Sequence, residues 1–578
     1  MVNDMSHRRV CRIVSELFLI LILVTGVSVA GDTGTSNPIK QLSARTKLNQ
    51  ISASIHAIVD DGRLRDQRRT DFAGLRAPIR EFYRQSNFTP VWIRDGKPTL
   101  QAGKMIAILQ QAENDGLTAE DYDASLWAER LASLRNRDTP SEEADFDVAL
   151  TFFTMRYVSD IRAGRINPEY FNFPLDVDTR KLDLPRFIKE LLADEGDLKS
   201  KIASIEPPLA GYKKLRAALP RYIQIARADT GEKLPALQHG LYLFEGSEYE
   251  GVPRLSRLLR LLGDLPDSAV IPENFHVYSA PLIQAVKRFQ KRHGLPASGY
   301  LDQETIDQLN VPLSERVAQM CLALKRYRWL RYEFSQPPVI INIPEFRLYA
   351  LNDKGDIGLT MTVDVGQDFK RTRTPVLESN IEYVVFRPYW DVPFDIQRKE
   401  IVPEIENDPN YLSENHFEAV DANGRVVSNI RGKGEVLEQI RRGELRIRQK
   451  PGADNSLGLI KFVFPNRHSV YLHGVPEWED YFSEPDRDIS HGCIHLKEPA
   501  KLAAWMLRDK PEWTIEKAKH AMTDGPDDFR VNLTKPLPVV IIYMTAAVRE
   551  NGEINFYPDI YGYDADLLAA LAKGHPSP

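Results

Sequence analysis

Cysteine is scarce in this chain, with only three among 578 residues. So few cysteines exclude the disulfide framework that small secreted domains use in place of a large core. Cys11 lies within residues 1–30, the predicted signal segment described below, and would leave with it. Cys321 follows Met320 in an apolar stripe of helical spacing, which predicts a buried structural thiol. Cys493, which follows a glycine, is therefore the candidate reactive thiol.

An excess of charge of one sign is also missing. The chain carries 75 Lys and Arg against 81 Asp and Glu, a net charge of −6. Without a basic stripe, nothing favours a nucleic-acid partner. The segment 431–436 has a Gly-x-Gly core but no third glycine and no preceding strand, so a phosphate loop is disfavoured and no cofactor is predicted.

The N-terminal apolar run, residues 17–29, is shorter than the roughly 20 residues of a membrane-spanning helix. Arg8, Arg9 and Arg12 precede it, and small residues follow at 28–30. This pattern predicts a secretory signal over residues 1–30 and a periplasmic protein. An uncleaved anchor is the alternative, and it would be the chain's membrane contact. Residues 31–50, rich in Ser, Thr, Gly and Gln, are predicted to be a linker.

At this length the chain predicts three or four domains. Helical periodicity runs through residues 51–235, with Met105, Ile108 and Leu109 on one stripe and a stop signal at 115–116. A smaller helical module is predicted over 236–312, where Asp302 should cap a short second helix. A connecting helix is predicted over 313–335.

From residue 336 to 578 the apolar period changes from 3.6 to 2, which predicts strands at 339–343, 346–351, 357–365, 381–386, 459–464, 469–472 and 539–544. A helix is predicted near Pro499. A strongly charged segment, 395–450, interrupts the strands and must lie over the sheet or its rim. The sequence therefore predicts an α+β multidomain protein with a β-rich C-terminal domain that carries an insert.

The most informative segment is Ile-Ser-His-Gly-Cys-Ile-His-Leu at residues 489–496, preceded by Tyr-Leu-His-Gly at 471–474. A thiol becomes nucleophilic when a base or a positive field favours the thiolate, and His491 and His473 are the candidate bases. The glycine before Cys493 allows the amides of Gly492 and Cys493 to face an oxyanion. Zinc bound by His473, His491, Cys493 and His495 is the alternative, since the last three alternate along the chain.

These two segments resemble the signature of the L,D-transpeptidases, the YkuD family, whose members cross-link peptidoglycan. Further matches at residues 451–473 resemble the large YcbB-type branch of that family. Residues 90–92, 115–117 and 156–165 resemble its scaffold region, and 285–305 resemble a helical peptidoglycan-binding module. The resemblance implies that the insert 395–450 forms a cap over the substrate; a solvated charged subdomain is the alternative.

The resemblance also implies catalytic roles. Cys493 would be the nucleophile, and His473 would accept its proton, with the tautomer of His473 fixed by the backbone carbonyl of Gly474. Gly492, helped by His491, would stabilise the oxyanion. No metal or other cofactor is implied.

Four residues are predicted to contact substrate: Tyr471, Trp390, Ser490 and His495. Trp390 would line the acyl pocket, although ordinary core packing explains it equally well. His495 departs from the family pattern, because an Arg or Asn is usual at that position.

The implied reaction joins two peptidoglycan stem peptides. A thioester forms on a tetrapeptide stem, D-alanine leaves, and the side-chain amine of a second stem completes a 3→3 cross-link. An L,D-carboxypeptidase or an amidase would use water as the acceptor, and a non-catalytic wall-binding scaffold would use none. A lipoprotein lysine is a further candidate acceptor. Stem peptides are the expected partners, with cell-wall synthesis enzymes as further candidates.

Overall fold

The computed structural model describes residues 38–64, 72, 74–137, 139–193, 197–238, 240–271, 276–369, 372–427, 434–476, 482 and 487–573. The predicted signal segment, 1–30, lies outside these ranges. Within them, no helix combines the length and the apolar character that a bilayer crossing requires.

The N-terminal region is built almost entirely of helices. Its elements are α1 (Pro38–Asp61), α2 (Arg76–Arg84), β1 (Ile93–Arg94), β2 (Lys97–Pro98), α3 (Leu100–Gln110), α4 (Trp127–Arg137), α5 (Pro140–Ala163), α6 (Leu184–Ala193), α7 (Leu198–Ala203) and α8 (Ala210–Ala228). One hydrophobic core, from Ile51 to Ile205, joins α1 to α7. Helix α8 belongs instead to a second core shared with the rest of the chain.

Within the predicted linker over 31–50, α1 begins at Pro38, so the described part of this segment is helical, and its role as a linker stays a prediction. The C-terminal half of α1 buries Ile51 and Ile55 against α5. Lys47 adds an ion pair with the buried Glu143 of α5 at 2.6 Å. Once that half is packed, extending the helix toward its N-terminus requires only residues of fair helix propensity.

The smaller helical module contains α9 (Val252–Leu262), α10 (Ala280–Arg292) and α11 (Gln303–Leu309) and is followed by α12 (Leu313–Tyr327). The apolar stripe of α10 is buried, as its spacing predicts. Asp302 caps α11, since its carboxylate accepts a hydrogen bond of 2.8 Å from the Thr305 amide. The domain limits at 235, 312 and 335 stay predictions.

Helix α12 connects the helical region to the C-terminal region through buried cations. Lys325 donates to the carbonyl of Gly116, and Arg328 donates to that of Asp115. Arg326 forms an ion pair with Asp564 near the C-terminus. Cys321 lies on this helix as a free, partly buried thiol packed against the second core.

The C-terminal region contains β3 (Val339–Asn342), β4 (Arg347–Leu351), β5 (Ile357–Gly366), β6 (Leu377–Phe386), β7 (Trp390–Asp391), α13 (Phe394–Ile396), α14 (Val402–Asn407), α15 (Tyr411–Glu414), β8 (Phe417–Val420), α16 (Gly434–Arg442), β9 (Arg446–Gln449), β10 (Ile460–Val463), β11 (Leu472–His473), β12 (Asp488–Ser490), β13 (Ile494–Leu496), α17 (Pro499–Met506), α18 (Ile515–Thr523), β14 (Phe529–Ile542), β15 (Ala546–Val548), β16 (Ile554–Phe556) and α19 (Tyr563–Lys573). A π-helix (Gln397–Ile401) links α13 to α14. The predicted α+β class is confirmed.

Nine strands form one sheet in the order β12-β5-β13-β11-β10-β6-β14-β3-β4, and a further pairing of β4 with β5 closes it on itself. Most neighbours are antiparallel, but three pairs run parallel: β12 with β5, β11 with β13, and β14 with β3. The strand predicted at 469–472 is observed only at Leu472–His473. Ser469 has a φ of 54°, outside the extended region, so pairing cannot start there.

The charged insert is a folded subdomain. Its strands form a separate sheet in the order β7-β9-β8, and its apolar residues form a third hydrophobic core. Because that sheet includes Trp390 and Asp391, the subdomain begins a few residues before the predicted start at 395. The Gly-x-Gly segment lies largely outside the described residues.

Candidate functional site

Two neighbouring strands bring the predicted site residues together. In the parallel pair of β11 and β13, His473 lies opposite His495, and Leu472 lies opposite Ile494. Leu472 and Ile494 are buried in the core, so alternation turns the two histidines to the other face of the sheet. Their ring centroids are 4.9 Å apart. Cys493 immediately precedes β13. Its thiol therefore lies next to one end of the strand pair that carries the two histidines.

The turn that carries Cys493 is held by side-chain hydrogen bonds. Ser490 Oγ donates to the carbonyl of Cys493 at 2.6 Å and accepts from the amide of Gly492 at 3.0 Å. Gly492 has a φ of 110°, a conformation that favours glycine. Thr374 Oγ1 donates to the Gly492 carbonyl at 3.0 Å. Ser490, predicted to contact substrate, is thus a buried residue that shapes the turn.

This arrangement bears on the predicted oxyanion site. The Gly492 amide, one of its two predicted donors, is already hydrogen-bonded to Ser490. The oxyanion hypothesis therefore depends on the amide of Cys493, the other member of the pair.

His473 is buried and has a defined tautomer. Its Nδ1 lies 2.6 Å from the carbonyl oxygen of Gly474, the contact that the family resemblance implies. Because a carbonyl only accepts, Nδ1 carries the hydrogen and Nε2 is left as the basic nitrogen. Burial lowers the pKa of His473 to about 3, with His495 acting in the same direction and the Gly474 carbonyl against it.

Cys493 is partly buried, and its Sγ lies 3.9 Å from the carbonyl oxygen of Ser469. Burial raises the pKa of the Cys493 thiol to about 11, although the backbone of Tyr471 acts in the opposite direction. At neutral pH the side chain is therefore a thiol that requires a base before it can attack a carbonyl.

His491 is exposed and contacts the insert. Its Nε2 lies 3.1 Å from Oε1 of Glu400, which belongs to the π-helix. The insert therefore reaches the turn that carries the thiol, as the cap hypothesis requires. In this conformation His491 faces Glu400, and its predicted help to the oxyanion would require it to leave that carboxylate.

The two predicted aromatic contacts differ in their surroundings. Tyr471 directly precedes β11 and is partly buried, two residues from His473. Trp390 packs against the third hydrophobic core, with its ring centroid 6.0 Å from that of Phe417. Its environment is that of a packing residue of the insert.

Two ionisable residues that the sequence analysis did not single out lie beside the histidines. Asp364 on β5 is the register partner of His495, and Lys461 on β10 is the register partner of His473. Asp364 Oδ2 lies 3.6 Å from Nδ1 of His495. Burial raises the pKa of Asp364 to about 7. The available signal was an acidic residue near the end of a strand whose apolar alternation had been noted.

Within the described ranges, no three His, Cys, Asp or Glu side chains converge as a metal-binding group. The two outer histidines of the zinc alternative face different carboxylates, His491 toward Glu400 and His495 toward Asp364.

Three family models match the chain. Residues 77–219 match a scaffold domain, 248–309 match a domain described as "putative peptidoglycan binding domain", and 337–541 match an L,D-transpeptidase catalytic domain of the YkuD family. The third match contains the histidine pair and the Cys493 turn.

Individual proteins match as well. A protein of Haemophilus influenzae named "Putative L,D-transpeptidase" is 30% identical over 305 residues, which are 52% of this chain and 60% of that protein. The L,D-transpeptidase crystal structure from Xylanimonas cellulosilytica is 15% identical, with 54% of this chain and all of that chain covered and a TM-score of 0.17. That from Stackebrandtia nassauensis is also 15% identical, with 53% and 96% covered and a TM-score of 0.20.

The Cys493 turn, the His473 contact with Gly474 and the family match over 337–541 concern the same part of the chain. This part is similar to L,D-transpeptidase catalytic domains of the YkuD family, and the same chain carries segments that match a scaffold domain and a peptidoglycan-binding domain.

Proposed function

We propose that the protein is a cysteine-dependent L,D-transpeptidase that forms 3→3 cross-links between peptidoglycan stems. The observation that carries the proposal is the pairing of β11 with β13, which brings a buried histidine of fixed tautomer beside a turn built around Cys493.

The first half of the reaction acylates the enzyme. Cys493 gives its proton to Nε2 of His473, and the sulfur attacks the carbonyl carbon of the third residue of a tetrapeptide stem. The amide of Cys493 stabilises the oxyanion, a donor whose loss typically costs about 3 to 4 kcal/mol of barrier. The carbon–nitrogen bond to D-alanine then breaks, and the leaving amine takes the proton from His473.

The second half transfers the acyl group. The side-chain amine of a second stem attacks the thioester, His473 accepts the amine proton, and the thiolate leaves and is reprotonated. Burial keeps both His473 and Cys493 neutral in the resting site. Proton transfer is therefore coupled to attack on the substrate, and the thiol leaves the Ser469 carbonyl to reach the base.

The insert fits the requirement that water be kept from the thioester. The insert is folded around its own hydrophobic core. Its residue Glu400 contacts His491, which lies in the Cys493 turn. A lid of this kind excludes water, so that the thioester is not hydrolysed before an amine acceptor binds.

An L,D-carboxypeptidase is the second candidate, because it would use the same thioester with water as the acceptor. The products separate the two activities. Purified enzyme is incubated with tetrapeptide muropeptides, and the products are identified by mass spectrometry. We expect dimers together with free D-alanine. Tripeptide as the sole product would replace transpeptidation by hydrolysis, and the absence of both would favour a non-catalytic scaffold.

We also propose that the smaller helical module binds the cell wall. Besides the family match, it exposes Tyr242, Phe244 and Tyr300, with the two tyrosine rings 5.3 Å apart. Exposed apolar clusters mark interaction sites. We expect the full chain to pellet with insoluble peptidoglycan and the Tyr242→Ala/Tyr300→Ala variant to pellet less. Tyr170→Ala, at an equally exposed tyrosine of the helical region, is the matched control, and equal pelleting of all three would refute the assignment.

Export to the periplasm is proposed from residues 1–30. Fractionation of cells that produce the full chain, with mass determination of the mature protein, tests both export and cleavage. A mature protein that retains residues 1–30 in the membrane fraction would establish the anchor instead.

A further inference from the structure

Four ionisable side chains form a row across four neighbouring strands of the catalytic sheet. The register pairs Asp364 on β5 with His495 on β13, His495 with His473 on β11, and His473 with Lys461 on β10. Each of them has at least one sequence neighbour in the hydrophobic core, so alternation places all four on the opposite face of the sheet. The row leads from a buried acid to the proposed base.

Asp364 is unusual within this row because it is completely buried yet weakly bonded. An ionisable neighbour is His495, with 3.6 Å between Asp364 Oδ2 and His495 Nδ1. Among the described residues, neither carboxylate oxygen accepts a hydrogen bond of normal geometry. Buried carboxylates normally accept several, and each exception calls for an explanation.

The proposed reaction supplies an explanation, because it places a proton on a buried histidine. Apart from the Cys493 thiol, the charged and titratable groups of the described residues that face His473 are Lys461 and His495, and neither is an anion. Those that face Asp364 and His495 from neighbouring elements are Arg487 and His491. Asp364 is the acid of this group, two strand spacings from His473.

We infer that Asp364 and His495 are a positioning pair for His473: the carboxylate, relayed through the ring of His495, stabilises the imidazolium that forms when Cys493 gives up its proton. The inference rests on the proposed function. Asp364 takes up no proton in the reaction, because the proton on His473 comes from Cys493 and goes to the leaving amine. The pair also explains why His495 departs from the family's usual Arg or Asn.

The size of the effect follows from Coulomb's law. Two strand spacings are about 9.5 Å. At that separation, with an effective dielectric constant of about 20, one unit charge changes a protonation equilibrium by roughly 10- to 20-fold. The effect should exist only where Asp364 is ionised. Burial raises the pKa of Asp364 to about 7, so the carboxylate is present above that pH and is lost below it.

The test is the rate at which a carbapenem, a β-lactam class that acylates this family, modifies the full chain between pH 5.5 and 9. Asp364→Asn imitates the protonated acid. We expect it to react at the wild-type rate at the low end and about 10- to 20-fold more slowly above pH 8. His495→Gln should show the same pattern with a smaller loss. Asp356→Asn, just before β5, and His520→Gln on α18 alter exposed residues of the same domain and serve as controls.

The outcomes separate the inference from the proposed function. Failure of the wild type to react, or modification of Cys493→Ala, refutes the function itself. A wild type that reacts at Cys493, with an Asp364→Asn profile that matches it or is lowered equally at every pH, overturns the positioning pair. If Asp364→Asn does not fold, as judged by circular dichroism, the shape of the His495→Gln profile decides in the same way.

Discussion

The helical region and the nine-stranded sheet both bury carboxyl groups, but they surround them differently. Asp147 on α5 accepts hydrogen bonds from the hydroxyl of Tyr83 at 2.7 Å and from the amides of Val91 and Trp92 at 2.9 and 2.6 Å. Asp364 on β5 has only a loose contact with His495. Burial raises the pKa of both to about 7. A raised pKa is therefore common to both carboxyl groups, and what distinguishes them is their hydrogen bonding.

Cys321 and Cys493, the two cysteines of the described residues, also share a raised pKa but differ in their surroundings. Burial raises the pKa of Cys321 as well as that of Cys493. Cys321 lies within a helix against apolar packing, whereas Cys493 lies on a turn beside the histidine pair. Reactivity therefore depends on the neighbouring base and on the turn.

The largest expected effect comes from replacing each of the two cysteines by alanine. We expect Cys493→Ala to fold and to form no carbapenem adduct, because the nucleophile is gone. Cys321→Ala should be acylated at the wild-type rate. Intact-protein mass spectrometry measures both, and an adduct on Cys493→Ala would contradict the assignment.

Removing the base should have the next largest effect. His473→Asn keeps a polar side chain but cannot take the thiol proton, so acylation should slow by about 10²- to 10⁴-fold at neutral pH. His520→Asn, at an exposed histidine of the same domain, is the control. Unchanged acylation of His473→Asn would show that another group activates Cys493.

Shortening the insert separates acylation from transfer. Replacing residues 395–450 by a Gly-Ser turn should leave acylation of Cys493 measurable while products shift from dimers toward tripeptide, because water then reaches the thioester. Glu400→Gln, which weakens the contact with His491, should shift the same ratio less. An unchanged ratio of dimer to tripeptide in the shortened enzyme would rule out the lid.

A substitution in the helical region should change the stability of the protein and not the rate of acylation. Asp147→Ala leaves the Tyr83 hydroxyl and two buried amides without their acceptor, so the free energy of unfolding should fall by about 1 to 3 kcal/mol. The rate of acylation should not change while the protein is folded. Denaturant unfolding measures the stability, and mass spectrometry measures the acylation. A loss of acylation without a loss of stability would contradict a purely structural role for Asp147.

The smallest expected effect is on stability against pH. Burial lowers the pKa of His473 to about 3 and that of His495 to about 4, below an unfolded value of about 6.5. Between these limits the unfolded chain binds more protons than the folded one, so stability falls as pH falls. The melting temperature of His473→Asn should therefore depend less on pH between 6.5 and 4 than that of the wild type. An equal dependence would mean that His473 is already protonated in the folded protein.

Local pattern was sufficient for much of this molecule. Period-2 alternation located β5, helical spacing and a capping acid located α10 and α11, and the Ser-His-Gly-Cys segment identified Cys493 with its two histidines. These features depend on residues near one another in the chain, so their spacing carries the information. The helix within the predicted linker over 31–50 was not foreseen, because the contact that stabilises α1 comes from α5, a hundred residues away.

The sequence by itself indicated several strands of the nine-stranded sheet and singled out Cys493 and His473 as the candidate nucleophile and base, because each follows from local alternation or from a short motif. Only the tertiary structure decided that Asp364 and Lys461 lie in one row with His473 and His495, because strand order and register are set by pairing between distant segments. The same holds for Glu400, which a folded insert carries to His491, and for Trp390, which packs into the insert's core.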